Sequence, residues 1–291
     1  MNHFKFELDG DGIALITFDS PNVSMNVLSA GVMSELGELV EKISTDDAIK
    51  GAVITSGKKA FCAGADLSEL GSGMMDLSGL SEDEAKQKLF DMAFRLNAQL
   101  RQLETCGKPI AAAINGLALG GGFEVTLACH YRVMATDTGA KLGLPEALVG
   151  VLPGGGGTQR LPRLMGVMNA APIMLQGKQL DANKAKEQGV VHEIAPLAEI
   201  VAKAKELVKE NPLQSKQPWD QDKFKMPGGA VYTPAGMQTF GAANPMLLKE
   251  TKGNYPAQRY ILSCVYEGIQ VPIDAGLRIE SRYFTKLLMR P

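Results

Sequence analysis

Two glutamates that follow small or rigid residues are the first candidates for chemistry in this sequence. Glu124 ends the glycine-rich run 120–124, and Glu146 follows a Leu-Pro pair. The run comes directly after 109–116, a short apolar stretch that is typical of a buried strand ending in a turn. We expect a helix to start near Val125, with unpaired N–H groups and positive dipole character that would hold an anion. Two carboxylates beside such donors would supply an acid/base pair.

A second set of backbone donors is predicted in the loop 60–67, which reads Ala-Phe-Cys-Ala-Gly-Ala-Asp-Leu. It follows a predicted core strand at 51–57. Gly64 has access to backbone angles closed to other residues and would point the amide of Ala65 into a pocket. Two converging amides with two carboxylates suit chemistry on a thioester enolate, where negative charge develops on an oxygen. The alternatives are a loop that only packs on the core and a glycine run that is only a tight turn.

The composition indicates an ordinary globular protein. The chain has 291 residues, enough for a large core, with 45% hydrophobic and 21% charged residues. A formal net charge of −2 argues against nucleic-acid binding, which normally needs a basic face. The N-terminal residues lack the pattern of a secretory signal, and no apolar run reaches the length of a membrane span. We therefore expect a cytoplasmic protein with no membrane span.

The cysteines and histidines indicate no metal site and no nucleophile. The four cysteines have neither metal-type nor paired spacing, which favours buried reduced thiols. Cys62 lies near the expected pocket, but no base is placed with it. His130 is interpreted as structural, because the chemistry above leaves no role for it.

Alternating strand and helix patterns predict parallel strands with helices outside them. Residues 4–8 and 13–18 form a predicted hairpin, followed by a helix over 27–43 with Ser29 as its N-cap and a strand at 52–55. The further predicted elements are helices at 82–105, 158–163, 181–189, 196–209 and 262–289, strands at 130–135 and 190–191, and a connecting segment at 211–245. Thr158 is the expected cap of its helix.

Four segments resemble successive motifs of the crotonase (enoyl-CoA hydratase/isomerase) superfamily, in the family's order and near its usual spacings over about residues 10–195. They are 61–67, 115–124, 144–146 and 153–163. The resemblance implies an α/β fold, a crotonase-like spiral of ββα units with a C-terminal helical region.

The tail carries a narrower resemblance, at 254–257, 265–268 and 274–284. It is similar to the linker of multifunctional fatty-acid oxidation α-subunits, in which a hydratase half precedes an NAD-dependent dehydrogenase half. We expect a hydratase core at 1–210 and a linker-like region with helices at 211–291. The sequence shows no Gly-x-Gly-x-x-Gly turn between a strand and a helix, so no NAD site is expected in this chain.

The resemblance also implies roles for individual residues. Glu124 and Glu146 would exchange protons with a water, and the amides of Ala65 and Gly121 would hold the thioester oxygen. Because both glutamates are present, the expected reaction is hydration of trans-2-enoyl-CoA to 3-hydroxyacyl-CoA in β-oxidation. The coenzyme A thioester is the substrate, and neither a cofactor nor a metal is expected. Expected substrate contacts are Met25, in a loop resembling the family's CoA-adenine loop, and Ala63, Gly64, Asp66, Leu67, Gly116, Gly120, Pro145 and Gly154.

Other functions remain open on this fold, because fold alone does not determine activity. A Δ3-Δ2-enoyl-CoA isomerase and an acyl-CoA hydrolase are the alternatives within the family, and a non-enzymatic assembly module is the alternative outside it. Expected partners are acyl-CoA and either further copies, as a trimer or hexamer through helices after Leu262, or a thiolase subunit. Chain-length preference depends on how residues 68–105 fold.

Overall fold

The computed structural model describes residues 1–66, 69, 77, 79–211 and 215–290. Contacts between backbone positions divide the chain into two compact units. The first unit comprises Met1–Glu69, Gln99–Gly143 and Gln179–Gln217, and the second comprises Leu70–Ala98, Leu144–Lys178 and Pro218–Pro291. The domain boundary expected near residue 210 stays a prediction.

The strands belong to the first unit. They are β1 (Phe4–Leu8), β2 (Ile13–Phe18), β3 (Gly51–Ser56), β4 (Ile110–Ile114), β5 (Ala118–Leu119), β6 (Tyr131–Ala135), β7 (Leu142–Gly143) and β8 (Glu193–Ala195). The main sheet has the order β1-β2-β3-β4-β6-β8, and β5 pairs with β7. Only the β1–β2 hairpin is antiparallel among these pairs, so the predicted hairpin and the predicted parallel pairing are both confirmed.

Most of the described helices lie close to their predicted positions. They are α1 (Ala30–Thr45), α2 (Glu82–Glu104), α3 (Gly121–Ala128), α4 (Gly157–Met165), α5 (Val167–Gln176), α6 (Ala182–Glu187), α7 (Ile200–Glu210), α8 (Pro234–Thr251), α9 (Pro256–Gly268) and α10 (Ile273–Leu288), with 3-10 helices at Glu146–Val149, Leu197–Glu199 and Pro218–Asp220. Ser29 caps α1 as predicted, since its side chain accepts a hydrogen bond from the amide of Val32. Within the described part of the chain, no helix combines the length and hydrophobicity that a membrane span requires.

The core of the first unit lies between the parallel sheet and α7. Alternate residues of a strand point to the same face of a sheet. On the face that meets α7, side chains of β2, β3, β4 and β6 are buried against the helix. The cluster contains Ile13, Val53, Ala111, Ala113, Tyr131, Val133, Ala135, Ala195, Ile200, Ala204 and Val208. This packing holds the carboxyl ends of the strands, from which the loops of the candidate site emerge.

The strand predicted at residues 190–191 is wrong, because these two valines end a helix instead. The amides of Val190 and Val191 both donate to the carbonyl of Ala185, at 2.8 and 3.1 Å. These bonds satisfy a carbonyl at the end of α6, so pairing with the sheet begins only at Glu193.

The connecting segment predicted at 211–245 contains the start of a helix. Thr233 accepts a hydrogen bond from the amide of Gly236 at 3.2 Å, and Pro234 occupies the first helical position of α8. The composition of the segment, rich in Pro, Gln, Lys and Gly, concealed this short start signal.

Helices α4, α9 and α10 pack together in the second unit. Arg163 on α4 donates to the carbonyls of Gly268 and Val271, at 2.7 and 3.0 Å. A Cβ atom at Gly268 would lie only 2.1 Å from Oε1 of Gln159, so a larger residue there would force the Gln159 side chain to move. The tail helices are therefore a packed part of this unit.

Candidate active site

The loop around Ala65 presents one backbone donor in the first unit. The amide of Leu28 donates to the carbonyl of Gly64 at 2.8 Å, and the amide of Asp66 donates to the carbonyl of Leu28 at 3.2 Å. N–H groups alternate in direction along an extended segment, so the N–H of Ala65 points away from Leu28. Gly64 has a φ of +105°, a conformation that favours glycine, as the sequence predicted.

The second donor belongs to Gly121, the first residue of α3. The helix begins here and not near Val125, so the predicted start was four residues late. The pattern favoured Val125 because glycine is a poor helix former. Tertiary packing decides otherwise, since a Cβ atom at Gly122 would lie 2.4 Å from the carbonyl oxygen of Cys62. Only a helix that starts with glycine approaches the loop this closely.

The two predicted donors lie close together in the first unit. A Cβ atom at Gly121 would lie 3.6 Å from the amide nitrogen of Ala65. Neither amide donates to a backbone carbonyl anywhere in the described part of the chain, and the first N–H groups of a helix have no intrahelical acceptor. Two N–H groups beside a helix N-terminus form an arrangement that stabilises an oxyanion.

Glu124 lies in the first turn of α3, where its side chain is 1% exposed. Its amide donates to the carbonyl of Gly120 at 3.0 Å, which fixes its place on the turn that carries the Gly121 donor. A carboxylate is favoured at a helix N-terminus. The first unit therefore brings Ala65, Gly121 and Glu124 to one loop and one helix start.

Arg132 secures the other end of α3. Its guanidinium donates to the carbonyls of Thr126 at 3.2 Å and Cys129 at 2.5 Å, and Gln217 donates to Cys129 at 2.9 Å. Burial lowers the pKa of Arg132 to about 10, so the group stays charged at neutral pH and complements the negative end of the helix. Sequence reasoning did not find Arg132, since a single arginine in a strand carries no visible signal.

Glu146 is the first residue of a 3-10 helix in the second unit, directly after Pro145. The amide of Val151 donates to the carbonyl of Glu146 at 3.1 Å, which closes the turn. A Cβ atom at Gly177 would lie 2.6 Å from Cδ1 of Leu148, so the end of α5 packs tightly on this short helix. The backbone of Glu146 is held on both sides.

The carboxyl group of Glu146 lies in an environment that favours its protonated form. Its Oε2 atom is shielded from solvent and has no hydrogen-bond partner among the described residues. Burial, with a smaller contribution from the negative charge of Glu280, raises the pKa of Glu146 to about 8. At neutral pH this side chain is therefore an acid that holds a proton.

Comparison with known proteins identifies the family. Residues 9–250 match the family described as enoyl-CoA hydratase/isomerase. The chain belongs to the enoyl-CoA hydratase/isomerase family. Its membership confirms the resemblance on which the site was first interpreted.

Individual relatives agree with this assignment. The chain is 38% identical over 287 residues to the fatty acid oxidation complex subunit alpha of Shewanella frigidimarina, covering 98% of this chain and 39% of that protein's length. Among solved structures, an enoyl-CoA hydratase from Bacillus anthracis is 27% identical with a TM-score of 0.61, over 97% of this chain and 89% of that one. Pseudomonas aeruginosa DspI is 31% identical with a TM-score of 0.62, over 72% and 74%. The predicted crotonase-like α/β fold with C-terminal helices is confirmed.

Two of the expected substrate contacts have evident local roles. Ala63 donates to the carbonyl of Asn26 at 2.9 Å, and Gly120 donates to the carbonyl of Gly143 at 2.9 Å. Both bonds help to hold the segments that carry the amides of Ala65 and Gly121. Asn26 is fully buried and also donates to the carbonyl of Phe18 at 2.8 Å, so it is a supporting residue that sequence reasoning missed.

The remaining expected contacts lie in different surroundings. Met25 is 46% exposed. A Cβ atom at Gly116 would lie 1.9 Å from the carbonyl oxygen of Lys59, so backbone packing accounts for this glycine. Gly154 belongs to the second unit, against the ring of Phe284. Leu67 lies outside the described residues.

Glu280 on α10 is the main residue that sequence reasoning missed. Its side chain is fully buried and accepts four hydrogen bonds. The donors are the amide of Gly156 at 2.7 Å, the amide and hydroxyl of Thr158 at 3.0 and 2.5 Å, and the side-chain amide of Asn97 at 3.0 Å. The signal was helical spacing, which places Glu280 on the buried face with Ile273 and Leu277.

The same contacts correct the role predicted for Thr158. The helix begins at Gly157 with Gly156 as its N-cap residue, whose φ is +93° and which has no side chain to accept a bond. Glu280 performs the capping instead, from a position 122 residues beyond Thr158. A cap supplied by a distant residue leaves no local sequence signal.

Two structural predictions about cysteine and histidine are confirmed. All four cysteines are free, and three of them are buried. Burial raises the pKa of Cys62 to about 12, which disfavours the reactive thiolate. His130 is structural, since its Nδ1 accepts from the amide of Ile110 at 3.0 Å. Across the described residues, no group of three or more His, Cys, Asp or Glu side chains is arranged to hold a metal ion.

Proposed function

We propose that this chain hydrates trans-2-enoyl-CoA thioesters to 3-hydroxyacyl-CoA, as a step of fatty-acid β-oxidation. The observation that carries the proposal is the closeness of the Ala65 amide to Gly121, the first residue of α3. An enolate oxygen develops negative charge during hydration, and preorganised N–H groups stabilise it more in the transition state than in the ground state.

The two glutamates take opposite roles in this proposal. Glu124, at the helix N-terminus, removes a proton from water as the hydroxyl adds to C3 of the substrate. Glu146, whose pKa is raised to about 8, supplies the proton to C2. One water is consumed, and the two carboxyl groups regain their starting state by proton exchange with solvent.

Substrate contacts are proposed at Met25, Ala63, Gly64, Asp66, Leu67, Gly116, Gly120, Pro145 and Gly154. We propose no separate cofactor, since the coenzyme A thioester is itself the substrate. Self-association through the helices after Leu262 is also proposed, and Tyr266 is exposed there, at 39%. Light scattering at micromolar concentration tests this, because a monomer would contradict it.

The chain spans 39% of the length of its Shewanella frigidimarina relative, a fatty acid oxidation complex subunit alpha. Pairing with a thiolase subunit is therefore proposed only for a multifunctional protein that contains this chain. A hydratase acting by itself is the form that the experiments below address.

Product analysis with two thioesters tests the proposed activity. Incubation with a 2-enoyl-CoA should give 3-hydroxyacyl-CoA, whereas an isomerase would convert 3-enoyl-CoA to 2-enoyl-CoA. A hydrolase would release free coenzyme A. The double variant E124Q/E146Q, purified identically, serves as the control for contaminating host enzymes. Release of coenzyme A as the main product would overturn the proposal.

A further inference from the structure

Glu280 ties three helices together at one carboxylate. Its oxygens accept from Asn97 on α2 and from Gly156 and Thr158 at the start of α4, while Glu280 itself lies on α10. Only residues 147–155 separate Glu146 from Gly156. The carboxylate therefore anchors the far end of the segment that begins with Glu146.

The donors around Glu280 oppose the effect of burial on its charge state. Four N–H or O–H groups point at its two oxygens, and protonation of the carboxylate would weaken these charge-assisted hydrogen bonds. Burial raises the pKa of Glu280, but four donors favour the ionised form. The buried oxygen of Glu146 has no donor among the described residues. Of these two carboxyl groups, Glu146 is the one that keeps a proton.

Charged and titratable groups also lie on the surrounding elements, and several of them have partners of their own. Arg160 donates to the carbonyl of Gly155 at 2.7 Å, and Arg163 donates to that of Gly268. Arg278 lies over the ring of Phe94. On α9, burial and Glu280 raise the pKa of Cys264, which is therefore neutral, and Glu267 pairs with Arg282. Helix α5, which packs on the 3-10 helix of Glu146, carries no titratable side chain.

We propose that Glu280 is a positioning residue for hydration: its ionised carboxylate anchors the segment that follows Glu146 and keeps the transferable proton on Glu146. The inference rests on the proposed function, since it concerns the acid of that reaction. It gives the tail helices a part in the chemistry, through a residue that acts on Glu146.

The test compares the pH dependence of kcat/KM for crotonyl-CoA hydration in four proteins: wild type, E280Q, E280D and E267Q. E280Q keeps the shape of the side chain but removes its charge, which should lower the pKa of Glu146. The alkaline limb of the profile, where kcat/KM declines, should therefore move about one pH unit lower. E280D keeps the charge and should retain the wild-type limb, with a lower rate from the shorter side chain. E267Q removes a half-exposed carboxylate of α9 and should leave the profile unchanged.

A purely structural role would predict a different result. E280Q and E280D would then lower the rate together, and neither would move the limb. That outcome, or an equal shift in E267Q, would overturn the proposal. If wild type fails to hydrate crotonyl-CoA, the proposed function fails first, so the two failures are distinguishable.

A second variant decides the question if E280Q does not fold. T158V removes one donor from Glu280 and keeps the backbone amide and the side-chain volume. With one donor fewer, Glu280 is protonated more readily and carries less negative charge beside Glu146. The decline of kcat/KM at alkaline pH should therefore again move to lower pH, by less than in E280Q. An unchanged limb in folded T158V would contradict the proposal.

Discussion

The region around Ala65 and Gly121 and the region around Glu146 are built by different means. The first uses only backbone groups, placed by a loop and a helix start that approach closely because glycines line them. The second depends on a side chain whose proton is controlled by burial and by Glu280, far along the chain. The comparison teaches that glycine-rich motifs in the sequence mark the positions of backbone donors, whereas the protonation state of an acid leaves no such motif and is a property of the folded unit.

Replacing the carboxylates should have the largest effect on turnover. E124Q and E146Q should each lower kcat by about 10²–10⁴, because glutamine keeps the shape but has no transferable proton. Acyl-CoA binding, measured by calorimetry, should stay near the wild-type value and serves as the control. Hydration at nearly the wild-type rate by either variant would remove that glutamate from the mechanism.

Removing a backbone donor should have the next largest effect. A65P deletes the N–H and should lower kcat by about 10²–10³, whereas A65G keeps it and should be much milder. Circular dichroism checks first that both variants are folded. Equal damage from the two changes in folded protein would argue that the loop, and not its amide, is what matters.

The contrast between the regions also explains what the sequence could predict. The hairpin, the cap at Ser29, the parallel strands and the two donor positions follow from local patterns and family motifs. The start of α3 was misplaced because the contact of Gly122 with Cys62 overrides low helix propensity. The cap of α4 was assigned to Thr158 because the true partner, Glu280, is 122 residues away. Contacts between distant segments are not visible in local periodicity.

The raised pKa of Glu146 also predicts a pH effect on stability. Between the pKa of an unfolded glutamate, 4.5, and about 8, the folded state holds a proton that the unfolded state has released. Folding stability therefore falls as pH rises through this window, by at most about 1.4 kcal/mol per pH unit for one group. E146Q has no titrating carboxyl group at this position. Its free energy of unfolding, measured by urea denaturation, should therefore increase relative to that of wild type as pH rises. A difference in the free energy of unfolding between the two proteins that stays constant with pH would contradict the raised pKa of Glu146.

The smallest expected signal is the absence of oxidation. The glycine run at 120–122 builds a helix start that offers amides to an oxyanion, and we expect it to bind no dinucleotide. Incubating the chain with 3-hydroxybutyryl-CoA and NAD should therefore produce no NADH absorbance. A clear rise with purified protein would mean that a glycine-rich segment has been misinterpreted.

The pH dependence of kcat/KM for crotonyl-CoA hydration by the wild-type chain tests the central claim most directly. The pH dependence of kcat/KM reports the pKa values of the essential acid and the essential base of the free enzyme. We expect hydration that declines above about pH 8, as Glu146 loses the proton it must deliver to C2. No hydration at any pH, or a rate that stays constant well above pH 8, would contradict the account.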